Sequence, residues 1–241
     1  MGTDEEYTER RYRGVIEPAG LDCYQVELGE SDLYVCTRGD LSEAARESLT
    51  RHRAELETYL QMHPSFGTAF RPLPLASSAP DIVADMGRAA EIFDVGPMAC
   101  VAGAVARYVG TDLLNESDEV IVENGGDIFL AGGGSRKVRI FAGGEMPPVD
   151  IAIHDRPEGV GLCTSSGTVG PSISLGGADA VTVLAVTATL ADAAASAIGN
   201  RVRGADDIES ALEAASGFGE ILGVVICAGG SLGAWGAVEL G

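Results

Sequence analysis

Asp192 stands alone among alanines in "TLADAAASAIGN" (189–200), four residues before Ser196. An aspartate costs helix propensity at such a place, and a buried carboxylate without a partner costs several kcal/mol. The spacing puts the two side chains one helical turn apart, on one face. A carboxylate and a hydroxyl so arranged suit a hard cation such as Mg²⁺, which takes few protein ligands and keeps waters or phosphates. The competing account is a solvated aspartate beside an ordinary helix hydroxyl. The pair alone does not decide.

Three glycine-bearing turns offer such an ion its surroundings. In "ENGGDIFL" (123–130), Asn124 and Asp127 flank Gly125 and Gly126, whose backbone N–H groups could approach a pyrophosphate. The same four residues also make an ordinary tight turn. In "CTSSGTVG" (163–170), the Thr164, Ser165 and Ser166 hydroxyls lie next to Gly167, within range of phosphate or ribose oxygens. In "DVGPMACVAG" (94–103), a helix opens after Gly96 and Pro97, and a helix start presents free donors to negative groups.

Other chemistries are poorly served. The chain holds no GxxxxGKS loop, no GxSxG elbow and no HExxH pair. "GGDIFLAGGG" is no dinucleotide fingerprint, because no helix follows its glycines. His52 falls on a predicted amphipathic helix and reads as a surface residue. His63 is isolated. His154 ends a strand beside Asp155 and stays open as a catalytic candidate.

The elements that must hold these residues follow from patterning. "RYRGVIE", "YQVELGES" and "DLYVCTRG" read as short strands. "DLSEAARESLTRHRAELETYLQMHP" has helical spacing, with Leu49, Leu56 and Leu60 on one face, Asp40 as cap and Pro64 as stop. "DIVADMGRAAEIF" and "GPMACVAGAVARYVGTDLL" continue as helices. Five β-like stretches come next, from "EVIVENGGDIFLAGG" through "KVRIFAGG", "VDIAIHD" and "GVGLCTSSG" to "DAVTVLAVTA". The Asp192 helix follows, then the helix "DDIESALEAAS" and a C-terminal strand pair turning at "AGGSLG". Strands cluster with strands, which predicts an α+β fold and not a βαβ series. We expect one domain over 1–241, with N-terminal strands and helix in 10–63, a motif-bearing core in 92–200 and a C-terminal helix and strands in 205–241.

Composition bounds the partners. A net charge of −20 on 241 residues repels phosphate backbones and argues against nucleic acid. The five cysteines are scattered without a CxxC pair, so neither a disulfide framework nor a structural zinc site is expected. The N-terminus shows no secretory signal. Residues 221–241 carry too many central glycines for a lipid span. These features together predict a cytoplasmic, reducing address and no membrane. A glycine-rich fold with open sheet edges favours a homodimer.

Taken in order, "FDVGPMACVAGAVAR", "VIVENGGDIFL", "CTSSG" and "AVTVLAVTATLADAAASAIG" resemble the motifs of the ApbE family, FAD:protein FMN transferases, over roughly residues 92–200. The family's DxGGxAKG helix, NxGGD turn, TSG turn and final ADAxxT helix each find a counterpart. The resemblance implies an α+β fold with a mostly antiparallel sheet and FAD bound across the loops. It implies Mg²⁺ held by Asp192, by Ser196 in the family's Thr position and by the carbonyl of Ala99. It implies a nucleotide pocket lined by Asn124, Gly125, Gly126 and Asp127 and by Thr164, Ser165, Ser166 and Gly167. The sequence also departs from the pattern. Cys100 replaces the family's Lys, and "PSISLGGAD" (171–179) replaces its HIxDPRTG segment, with Ser172 near the place of the transfer histidine. The whole pattern resembles the short cytoplasmic branch of ApbE-like proteins, some of which are linked to sulfide assimilation in anaerobes. That implies a second role, non-transferring binding or sulfur handling, in which Cys100 or Cys163 near the pocket would be a reactive thiol.

Overall fold

A computed structural model describes residues 18, 20–140, 148–154, 156–166 and 177–240. The first predicted strand, "RYRGVIE", lies outside the described residues, as do Asp155, Gly167 and Ser172.

The apolar alternation in the strands builds two sheets. The larger runs β1 (Asp22–Leu28), β2 (Ser31–Thr37), β3 (Val120–Asn124), β4 (Asp127–Gly132), β7 (Arg156–Ser165), β8 (Ala180–Ala185), β9 (Ile221–Ala228) and β10 (Ser231–Gly236), in that spatial order. All its neighbours pair antiparallel. The smaller sheet holds β5 (Arg136–Ile140) and β6 (Val149–Ile153), with β11 (Glu239–Leu240) at its other side. A side-chain period of two sends alternate residues of the large sheet to opposite faces. One face, with Val35, Val122, Phe129 and Val183, packs on helices. The other, with Ile121, Leu130 and Leu162, packs on Val138, Ile140, Ile151 and Ile153 of the small sheet. The result is an α+β fold in three layers.

The helical layer comprises α1 (Ser42–Met62), α2 (Asp81–Phe93), α3 (Val101–Leu113), α4 (Ala188–Gly199) and α5 (Ile208–Ser216). Leu49 and Leu56 of α1 are buried as the spacing predicts, and Leu60 is half-buried. The cap differs in detail. Asp40 lies one residue outside the helix boundary at Leu41, yet its carboxylate accepts the Ser42 N–H at 2.9 Å. The small-residue helix α3 lies close against α4 and the sheet, with Gly103, Ala104, Ala106 and Gly110 all buried.

No described helix alone is long and apolar enough to cross a membrane. The pair Asp81–Phe93 and Pro97–Leu113 is apolar enough together, but it bends by 105° and fills the core. The apolar C-terminal stretch is the hairpin β9–β10, turning at Gly229 and Gly230 with positive φ.

Two expectations are overturned. Cys23 and Cys36 form a disulfide. They sit directly opposite each other in the β1–β2 register, with their Cα atoms 4.2 Å apart, so the pairing depends on strand register and not on sequence spacing. The argument for a reducing address from scattered cysteines loses its footing. Denaturing the chain without reductant should expose three alkylatable thiols, and reduction should raise that to five by intact mass. Five labelled thiols before reduction would remove the bridge.

His52, read as a surface residue, is instead 7% exposed. Its Nε2 lies 2.8 Å from Asp112 Oδ2, which also accepts from Ser48 and Arg51. This knot ties α1 to α3. The helical pattern of α1 shows only its apolar stripe and hides a polar residue buried for its hydrogen bonds.

Candidate functional site

Residues from three separate stretches meet where α3 begins. A 3-10 turn at Pro97–Cys100 leads into α3. The Ser196 hydroxyl donates to the Ala99 carbonyl at 3.2 Å, and Asp192 Oδ2 accepts the Gly103 N–H at 2.9 Å. The Asn124 side-chain amide donates to the Ala102 carbonyl at 3.1 Å. One corner therefore holds Asp192, Ser196, the Ala99 carbonyl and Asn124. The helix α4 is aimed there by its start, where the Thr187 hydroxyl accepts the Leu190 N–H at 3.2 Å as an N-cap side chain does.

Asp127 opens β4 directly opposite Cys163 of β7, whose thiol donates to the Ala188 carbonyl at 3.4 Å and lies within reach of the Asp127 carboxylate. Asp127 is 9% exposed. Burial, and then the charge of Asp192, push its carboxyl well above the ordinary carboxylate range. Asp192 keeps part of its surface open, yet burial lifts it to about 7 against the lowering pull of the Gly103 N–H. Among the described residues neither carboxylate forms an ion pair. Two acids within electrostatic reach and without a counter-charge are costly. Among the described residues no cluster of three or more His, Cys, Asp or Glu is arranged for a metal. A cation here would be held by few carboxylates and by neutral oxygens, which suits Mg²⁺ better than a soft metal.

The other predicted residues are divided. Gly125 and Gly126 form a two-residue hairpin turn with φ of 67° and 103°, the ordinary turn that the sequence left open. The Gly126 N–H is taken by Glu123 Oε1 at 2.7 Å and is not free for an anion. Sheet alternation sends Thr164 to the face away from α4, where its hydroxyl meets that of Thr182 at 2.9 Å. Ser165 shares the near face with Cys163, and Ser166 donates to the Asp179 carbonyl at 2.6 Å. His154 follows β6 in the small sheet, on the opposite side of the large sheet from α4, and its Nε2 lies 3.3 Å from Glu239. It stands apart from this corner.

The thiols are poorly placed for reactivity. Cys100 donates to the carbonyls of Pro97 at 3.2 Å and Met86 at 3.7 Å. Burial and then the nearby aspartates push both Cys100 and Cys163 well above the ordinary thiol range. A reactive thiolate needs the reverse. A separate cavity of about 570 Å³ opens between α1, α3 and the start of α2, lined by Arg51, His52, Asp81, Arg107, Tyr108 and Asp112. Both of its arginines are paired, Arg51 with Asp112 of the same wall and Arg107 with Asp85 outside it.

The family described as AbpE bacteria has a model that matches residues 15–229. A UPF0280 protein of Methanosarcina barkeri is 39% identical over 199 residues, covering 81% of this chain and 79% of the relative. A UPF0280 protein of Methanocaldococcus jannaschii is 41% identical over 189 residues, 76% and 77% of the two chains. Among solved structures, the flavin transferase ApbE from Vibrio cholerae superposes with a TM-score of 0.60 at 11% identity, over 91% of this chain and 97% of that one. The apo flavinyl transferase ApbE of Pseudomonas stutzeri gives 0.56 at 14% identity, over 92% and 94%. At those identities the two superpositions speak for the fold.

Proposed function

The chain belongs to the AbpE bacteria family, within the ApbE-like superfamily, and from that membership we propose that it binds a flavin or adenine nucleotide, FAD foremost, together with Mg²⁺. The observation that carries this reading is the pair of carboxylates, Asp127 and Asp192, which have no cationic partner among the described residues and lie beside a carbonyl and a hydroxyl. Solved proteins of similar fold are named flavin transferases, which supports a flavin as the ligand.

In this proposal Asp192, Ser196 and the Ala99 carbonyl hold the ion, and Asn124 keeps the start of α3 in place through Ala102. Mg²⁺ when bound supplies positive charge against the linked phosphates of the nucleotide. The Gly103 N–H orients the Asp192 carboxylate. The Asp192 carboxylate, and Asp127 once a bound cation lets it ionise, make the corner favour a divalent cation over a bare anion. The proposal stops at binding, because residues 171–179 carry neither the histidine nor the arginine of the family's transfer segment.

Calorimetric titration with FAD, first with Mg²⁺ and then with a chelator, tests the proposal. The expected result is one saturable site that weakens at least about tenfold on chelation, the scale of losing a metal's supporting interactions. An absence of binding in both buffers removes the proposal.

A further inference from the structure

A sheet edge presents a row of unpaired N–H and C=O groups, and folded chains blunt such edges with charge, shortness or cover. Among the described residues this protein has four of them. β1 closes one end of the large sheet and carries exposed Asp22 and Glu27. In the small sheet, β5 carries Arg136, Lys137 and Arg139, and β11 is two residues long and opens on Glu239. β10 closes the other end of the large sheet and has none of these guards. It runs six residues without a charge or a proline, inside an uncharged stretch that extends from 221 to 238.

One face of β10 is filled. Gly233 lies so near α5 that a Cβ there would stand 2.4 Å from Ile208 Cγ2, and Trp235 packs on the helical core. Alternation sends Leu232 and Ala234 to the opposite face. Their β9 partners, Cys227 and Val225, belong to the core shared with the small sheet. Leu232 itself is 38% exposed and Ala234 is also open to solvent, so the apolar face of the sheet runs on past its cover.

Charge selects the occupant. A chain of net −20 repels its own copy, and that repulsion is least where both surfaces are bare of charge. Two β10 strands running antiparallel about a two-fold axis meet this condition. They also match backbone donors to acceptors and extend one apolar face into the other. Side chains directly opposite share a face, so the axis must pass through a residue. On Gly233 it sets Leu232 of one copy against Ala234 of the other.

We propose that β10 is a self-pairing edge through which two copies of this chain join their large sheets into one. This gives the expected homodimer a location and is independent of nucleotide binding. An isologous contact closes at two. Six residues make a small interface, so the dimer belongs to the weak, reversible class.

Sedimentation of the full chain over a concentration series tests it. The mass should climb from 24.8 kDa to twice that and stop, and added salt should tighten the dimer by screening the charges. Amide exchange in residues 231–236 should slow as protein concentration rises, while exchange in β1 stays constant. Leu232→Glu and Ala234→Glu should each weaken association at least about tenfold, because both set like charges together at the strand pair. Met62→Glu, at the 65% exposed end of α1, is the control and should leave association unchanged. A chain still monomeric at about 1 mM, assembly beyond two copies, or a dimer that keeps its strength in both glutamate variants overturns the proposal. The exchange measurement needs no variant, and a dimer without slowed exchange in 231–236 overturns it equally.

Discussion

Asp192→Asn should raise the stability of the metal-free protein and at the same time abolish the Mg²⁺-dependent part of FAD binding. The two effects come from one change. The asparagine side-chain oxygen still accepts the Gly103 N–H, so the contact between α3 and α4 survives. What disappears is a negative charge that the metal-free fold holds at a cost, since burial lifts the Asp192 carboxyl to about 7. A raised acid opposes folding wherever the unfolded chain is ionised and the folded one resists ionisation. The stability gain should therefore be absent near pH 3, grow as pH rises through the range from about 4 to about 7, and stay level above that. Asp127 feels the same relief, because the Asp192 charge is one of the two main causes of its own elevation. The loss in Mg²⁺-dependent FAD affinity should reach at least about 100-fold, since removal of mere supporting partners already costs 10- to 100-fold at metal sites. Denaturant unfolding at pH 8 and calorimetry with Mg²⁺ measure the two halves. A variant that is less stable, or that keeps its metal dependence, contradicts the electrostatic account of the corner.

This trade of stability for binding also explains which parts of the site the sequence could show. Asp192 and Ser196 were legible because a helix converts a spacing of four into a shared face, whatever surrounds it. Ala99 came only from the resemblance, since a carbonyl carries no side-chain signal. The resemblance places Asp127 in a nucleotide pocket, and the structure buries it against Cys163 and within electrostatic reach of Asp192. That depends on the β4–β7 register, which no local pattern records. Thr164 faces away from α4 for a related reason. A strand sends neighbours to opposite faces, and a motif of consecutive hydroxyls cannot say which one faces the helices. The Cys23–Cys36 bridge and the buried His52–Asp112 contact were hidden because both join residues whose closeness is set by tertiary packing. The helices and most strands, by contrast, follow from periodicity and from glycine and proline punctuation, and the described elements match them closely.

Gly161→Ala should cost about 3 kcal/mol of stability, the upper end for one added methyl in a packed core. Gly161 sits in β7 where the first turn of α4 comes down on the sheet. A Cβ there would stand 2.2 Å from the Ala188 Cα, 2.4 Å from its nitrogen and 2.6 Å from the Thr187 carbonyl carbon. All three are backbone atoms, so no side-chain rotation relieves the clash. Either α4 lifts from the sheet or β7 bends. Lifting α4 is resisted from its other side, because a Cβ on Gly103 of α3 would already be 2.4 Å from the Ala188 carbonyl oxygen and 2.7 Å from the Asp192 Cβ. Ala188 is thus wedged between β7 and α3, and the wedge sets where Asp192 and Ser196 sit four and eight residues later. The substitution should therefore weaken Mg²⁺-dependent FAD binding in the molecules that still fold. Gly219→Ala, with open space around its Cβ, is the control and should change stability by no more than about 0.5 kcal/mol. Equal, small effects from both substitutions would mean that β7 and α4 separate at little cost, and would contradict the wedge.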